Sequence, residues 1–445
     1  MFRSFKICHA LREKFSLGYS RSDLMADLMS GLIVACVAIP LGMALAIASG
    51  VSPERGLYTI ITAGFFVALL GGSRFQVTGP TAAFVVLLLP ILHHHGLAGL
   101  LTAGMLAGII LILMGIFRLG RFIEFIPHPV VTGFTAGIAL VIATIQFKDF
   151  FGLRISQVPE DFTARLTAFY SSLSSYSPWE LGIGLLTLAI LLFWPRLNRK
   201  IPAPLIALSS LSLFVFFLKK NNPDLSIATI QSMFHPLIDG HVINGIPASL
   251  PRFQWPWQNA EAGTFILSTE NILSLLPASF SIALLGAVES LLSAVVADSM
   301  TSTRHEPNSE LFALGVGNLI APCFGGIAAT GAIARTATNI RFGARSPISA
   351  ILHSIFVLLS ILFFAPAIGY LPMASLAALL ILVAYNMSDM KNFIKIIKTH
   401  PKTDIAILLV CFIFTVIYNM VVGVGAGIAL AFILARVRRV SRRKL

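Results

Sequence analysis

Residues 71–90 read GGSRFQVTGPTAAFVVLLLP, and residues 323–343 read CFGGIAATGAIARTATNIRFG. Each stretch holds glycines, a short extended run, a break, and a short run able to form a helix. In the first, Arg74 to Thr78 alternates and carries β-branched residues, as a strand does. Gly79-Pro80 breaks the chain, and a helix starts at Pro80 or Thr81, where proline fits the first turn. It is expected to end by about Pro90. In the second, Ile327 to Thr330 is extended, Gly331 is the break, and a short helix follows. The two stretches occupy matching places in the two halves of the chain. Paired interruptions of this kind point to inverted repeats with discontinuous helices.

Broken backbone at membrane depth is tolerated only where protein or a water-filled cavity satisfies it. A half-helix that starts there presents free N–H groups and the positive end of its dipole. Two such ends that face each other make a site for an anion. The plainer alternative is ordinary glycine-rich helix packing; the matched positions favour the first reading. Arg335 adds positive charge four residues after the second break. A charge inside a span costs about 2.5–3.5 kcal/mol on insertion scales, which makes a functional role the default over a snorkelling arginine.

The composition agrees with a membrane protein. Of 445 residues, 56% are hydrophobic and 11% charged, more apolar surface than a soluble fold of this length buries. The net charge is +13, but the basic residues lie between apolar runs, so they report topology and not nucleic acid. Fourteen apolar runs extend from 28–48 to 421–436. With both termini cytosolic, 24 Lys and Arg fall in cytosolic segments and 7 in outer ones, with Arg335 inside a span. This is the asymmetry that the positive-inside rule demands. The isolated cysteines Cys8, Cys36, Cys323 and Cys411 suggest neither a disulfide framework nor a metal site. No cleavable signal peptide precedes the basic segment 1–26, which is expected to stay cytosolic.

Two polar stretches, about 147–178 and 219–271, separate blocks of spans. The second contains IPASLPRFQWPWQ and reads as an outer loop with interfacial aromatics. Residues 388–399, SDMKNFIKIIKT, read as an amphipathic helix on the cytosolic surface. Three adjacent histidines at 93–95 read as a solvated outer loop, Asp298 as a structural residue near a helix end, and RSP at 345–347 as a helix start.

One carboxylate stands out. Glu289 sits in SIALLGAVESLLSAVVA, residues 281–297, with no other charge in the run. It and Arg335 are the only ionisable residues expected in mid-span. A buried carboxyl beside positive helix ends can exchange a proton during a cycle. The alternative is a structural carboxyl, protonated or paired with a serine or a backbone amide.

The longest motifs are AIPLGMALAIASGVSPERGLY, SRFQVTGPTAAF, LLGAVESLLSAVVADSMTSTRHEPNSEL and GAIARTATNIRFGARSPISA. They resemble the sulfate permease (SulP) family, also called solute carrier family 26, over about residues 23–439. GGSRFQVTGPTAAFVV, GAIARTATN and VAYNMS look most like the bacterial C4-dicarboxylate transporter of DauA type. The resemblance implies an all-α polytopic membrane protein of 14 transmembrane segments in two inverted repeats of seven. Segments 3 and 10 would be short half-helices preceded by short strands. The first repeat would span 27–218, with core 27–117 and gate 129–218. An extracytosolic loop, 219–271, would lead to the second repeat, 272–436, with core 272–366 and gate 370–436. Substrate would bind Leu41, Leu45, Thr81, Ala82, Ala83, Ser293, Ala332, Ile333, Ala334 and Arg335, with Glu289 as the proton-coupling residue.

Two departures from the family pattern matter. Sodium-coupled bicarbonate relatives carry Asp at the place of Glu289 and a hydroxyl at the place of Ile333, so this chain argues for protons and against sodium. Family members usually continue into a cytosolic STAS domain, whereas the expected layout here ends in a basic cytosolic tail, 437–445. The resulting expectation is proton-coupled uptake of small organic dianions such as succinate, fumarate and aspartate in a bacterial inner membrane, by a homodimer with no further cofactor. The alternatives are transport of sulfate or bicarbonate, or an anion channel. No HEXXH, GxSxG or His–Asp pair supports an enzyme such as an acyltransferase.

Overall fold

In a bilayer every backbone polar group must find its partner within the protein, so long apolar runs become helices. The computed structural model describes residues 7–120, 127–155, 158–198, 200–222, 225–238, 241–258, 267–418 and 420–442. The expected segments 1–26, 219–271 and 437–445 therefore lie partly outside the described residues. The first half holds α1 (His9–Ser16), α2 (Arg21–Ala48), α3 (Pro53–Leu70), β1 (Thr78–Gly79), α4 (Ala82–Ile116), α5 (His128–Ile145), α6 (Phe162–Ser172), α7 (Pro178–Leu197) and α8 (Ala203–Asn221). The second holds α9 (Thr269–Thr301), α10 (Pro307–Ile320), β2 (Thr330–Gly331), α11 (Ile333–Arg341), α12 (Ile348–Ile368), α13 (Met373–Met387), α14 (Met390–Thr399), α15 (Lys402–Ile417) and α16 (Met420–Arg442). A two-residue hairpin, Leu237–Ile238 with His241–Val242, lies in the long connection between them.

Among the described residues, eight helices are long and apolar enough to cross a membrane, with a shorter apolar helix at Met420–Leu434. The chain is a multi-pass helical membrane protein. Helix α4 covers two expected segments, because Gly96 breaks it with φ +64°, a conformation that needs glycine. The first part of α4 runs through Pro90 to this break, so the expected end at Pro90 is wrong. Proline costs the bond to the Val86 carbonyl but leaves the helix to continue, as membrane helices allow.

The helices gather in two groups. In one, α4 packs on α9 and α10, and α2, α3 and α12 pack on one another. Gly108 and Gly315 let α4 and α10 touch backbone to backbone; a Cβ on Gly108 would lie 2.5 Å from the Leu319 nitrogen. In the other group, α5 packs on α15 and α13, and α7 on α13 and α8. Caps fix the entries: Ser20 and Asp23 form a capping box at α2. Asp27 accepts from the Arg345 and Ser346 N–H groups at 2.6 and 3.1 Å, which anchors the start of α12. Asp298 closes the turn after α9 by accepting from the Thr303 hydroxyl and the His305 N–H.

Other expectations need correction. The short strands expected before the two half-helices are present, but they sit at the ends of the extended runs Arg74–Thr78 and Ile327–Thr330. The ladder is two residues long, Thr78 opposite Gly331 and Gly79 opposite Thr330, antiparallel. Side chains take up the neighbouring backbone groups instead. Thr336 accepts from the Val77 N–H, Thr59 from Ile327, and Asn318 from Ala329. His93, His94 and His95 belong to α4 and not to a loop, and His93 Nδ1 lies 2.5 Å from Glu160 Oε1. Residues Met390–Thr399 are helical as expected, with Ile396 buried and Lys391, Lys395 and Lys398 exposed.

Glu289 and Arg335 are also not the only ionisable side chains set within the packed helices, since His353 of α12 is 1% exposed and a second carboxylate is buried as well. Glu310, in the first turn of α10, is 1% exposed. It accepts from the Gly72 and Ser73 N–H groups at 2.9 and 3.0 Å and from Gln76 Nε2 at 2.8 Å. Gln76 Nε2 donates as well to Ser290, the neighbour of Glu289, at 2.6 Å. The strand crossing is thereby tied to both α9 and α10.

Candidate anion site

The β1–β2 crossing sets the directions of two helix starts. Because the strands are antiparallel, α4 and α11 leave the crossing in opposite senses with their N-termini close together. Neither start has a side-chain cap. Thr81 occupies the cap position of α4, but its hydroxyl donates to Glu289 Oε2 at 2.9 Å and does not cap the first turn, where the Phe84 N–H bonds to the Thr81 carbonyl at 3.3 Å. At α11 the cap position is Ala332, which has no side chain able to cap.

Both starts open on one cavity of about 430 Å³. Leu41, Leu45, Thr81, Ala82, Glu289, Ala332, Ile333, Ala334 and Arg335 all line it. Ala83 and Ser293 do not: Ala83 is turned into the helix packing, and Ser293 donates to the Thr336 hydroxyl at 3.2 Å. These two stand behind the site.

Arg335 is 1% exposed and donates through Nη2 to the Pro80 carbonyl. Among the described residues, its Nε and Nη1 are buried without a hydrogen-bond partner. Buried guanidinium N–H groups normally find acceptors, so this pair is an unfilled demand for a negatively charged oxygen. The guanidinium rests against Gly79, where a Cβ would lie 2.5 Å from Nη1. Glycine is needed there for space.

The opposite wall was not read from the sequence. His128, Val131, Thr132, Phe134 and Thr135 of α5, with Val383, Asn386, Met387 and Asp389 around the end of α13, close the cavity. These residues carry no periodicity or charge pattern that marks them. The motif VAYNMS, which supplies Asn386, is the one signal that touches this wall.

The model of the sulfate permease family matches residues 24–411. The chain belongs to the sulfate permease family. YvdB of Bacillus subtilis (strain 168), a candidate sulfate transporter, is 43% identical over 426 residues, covering 95% of this chain and 76% of YvdB. The bicarbonate transporter BicA of Picosynechococcus sp. (strain ATCC 27264 / PCC 7002 / PR-6) is 30% identical over 424 residues, covering 93% of this chain and 70% of BicA. The solved transmembrane domain of a cyanobacterial BicA superposes with a TM-score of 0.77 at 28% identity, over 91% of this chain and 98% of that domain. This sulfate permease family member is thus an anion transporter of the multi-pass membrane class.

Proposed function

We propose that the protein takes up small organic dianions, C4-dicarboxylates such as succinate, fumarate and aspartate, together with a proton, by alternating access. The observation that carries this reading is that Arg335, two of whose nitrogens lack a protein acceptor among the described residues, lines the same cavity as Glu289. A carboxylate of the substrate would take the free Arg335 N–H groups and the open helix ends. The apolar walls, Leu41, Leu45, Leu292 and Ile333, suit a carbon chain better than a sulfate, which needs donors around all its oxygens. Protonation of Glu289 would remove its repulsion of the arriving anion, so anion and proton bind together. Ile333, where a hydroxyl would help hold sodium, favours the proton as the coupling ion.

Fourteen crossings in two inverted repeats complete the proposal. Core segments 27–117 and 272–366 would move against gate segments 129–218 and 370–436, in a homodimer of the inner membrane with cytosolic termini. A second reading, sulfate, is favoured by the 43% identity to YvdB, and bicarbonate by the likeness to BicA. Uptake of radiolabelled succinate, fumarate, aspartate, sulfate and bicarbonate into proteoliposomes, with and without an imposed pH gradient, tests the proposal. Gradient-driven concentration of the dicarboxylates is expected. Concentration of sulfate or bicarbonate alone would replace the substrate, and flux that never exceeds equilibrium would make the protein a channel.

One substitution tests the role of the glycine. Gly79→Ala is expected to raise the KM for the transported anion about tenfold, since the new methyl displaces Nη1 of Arg335. An unchanged KM in a correctly folded variant would detach Arg335 from the anion.

A further inference from the structure

We infer that a second, larger cavity binds one acyl chain of a membrane phospholipid. This cavity, about 710 Å³, lies between α2, α8 and α12 and shares no lining residue with the candidate anion site. Its size is within the range of about 300–1,000 Å³ typical of ligand cavities. Leu32, Cys36, Leu208, Leu213, Phe216 and Phe364 give it an apolar lining. Ser360 donates to the Phe356 carbonyl at 2.8 Å, and among the described residues Ser212, on the α8 wall, is the one lining hydroxyl that is buried without a partner.

All three helices are among those long and apolar enough to cross a membrane, so the medium at the mouth of the groove is hydrocarbon. Leu213 and Phe364, 57% and 61% exposed, stand at its rim.

The length selects the occupant. Lining residues on α8 run from Pro204 to Phe216, about 18 Å at the ~1.5 Å rise per helical residue. One leaflet supplies about half of a hydrocarbon core of ~30 Å. The groove therefore accepts a single chain along its axis. Tyr370 stands at one end, where α12 has finished, with its ring edge-on to Phe216 at 5.0 Å. Tyrosine belongs at headgroup level, so this end receives the lipid's polar part. The acyl chain lies beside the contact of α8 with α2, at the boundary between the two helix groups.

Native mass spectrometry of protein released from phosphatidylethanolamine and phosphatidylglycerol vesicles tests the inference. The full chain is expected to keep one phospholipid per copy after loosely held lipids are stripped. Ser212→Trp fills the groove from α8 and Cys36→Phe from α2; each is expected to lower occupancy at least tenfold. Phe363→Trp, at an outward position that is 72% exposed and does not line the groove, leaves occupancy unchanged. If one filled variant fails to fold, the other carries the test from the opposite wall. Equal lipid retention in all variants, no retention by the unaltered chain, or a second protein copy in place of lipid overturns it.

Discussion

Arg335→Ala is expected to lower anion uptake at least about 100-fold while the protein still folds. The guanidinium is the one buried cation in the candidate cavity, and two of its nitrogens have no protein acceptor among the described residues. Hydrogen bonds to charged groups contribute about 1.5–3 kcal/mol each, and ~1.4 kcal/mol is a factor of ten in affinity. Losing two such bonds to a substrate carboxylate accounts for a hundredfold or more. Arg335→Lys separates charge from shape. Lysine keeps the charge but lacks the planar fork that reaches both Pro80 and a substrate, so an intermediate loss of about tenfold is expected. Uptake kinetics with thermal unfolding as a control make the measurement. Wild-type affinity in a folded Arg335→Ala protein would remove the positive focus from the proposed mechanism.

Glu289→Gln is expected to lose pH-driven accumulation altogether, with the internal-to-external ratio falling to about one, while anion binding changes by less than about tenfold. The amide keeps an oxygen that can accept from Thr81, so the bond between α4 and α9 survives. It no longer carries a removable proton. Counterflow exchange of labelled substrate should persist, because exchange needs binding and movement but no net proton transfer. If the variant accumulates substrate under a pH gradient as well as the unaltered protein does, the proton is carried elsewhere. Glu310, bonded to Gln76 and two backbone N–H groups, would then be the next residue to examine.

What the sequence revealed follows from where the chemistry is concentrated. Glu289, Arg335 and the two glycine breaks are conspicuous because charge and broken backbone are expensive at membrane depth. They identified one side of the cavity. The α5 and α13 side was illegible, since Val131, Phe134 and Val383 differ in no way from residues that face lipid or core. Glu310 was missed for another reason. An acidic residue in a first helical turn reads as a cap, and its contact with Gln76 joins positions 234 residues apart. At Pro90, local propensity pointed to a stop, but the helix continues to Gly96, the residue whose backbone does turn. The short strands were legible, but not that side chains from Thr59, Asn318 and Thr336 would satisfy the backbone beside them.

The four-residue crossing of β1 and β2 also constrains how the protein is made. Thr78 emerges from the ribosome long before Gly331, its partner. Until the second half is synthesised, the first half carries an unpaired strand edge, an uncapped helix start and no cation at membrane depth. Such a segment has no stable place in lipid on its own. The crossing can therefore close, and Arg335 bond to Pro80, only after the second half has been made. Cutting the gene between the halves and expressing the pieces together should yield anion binding only when both are present.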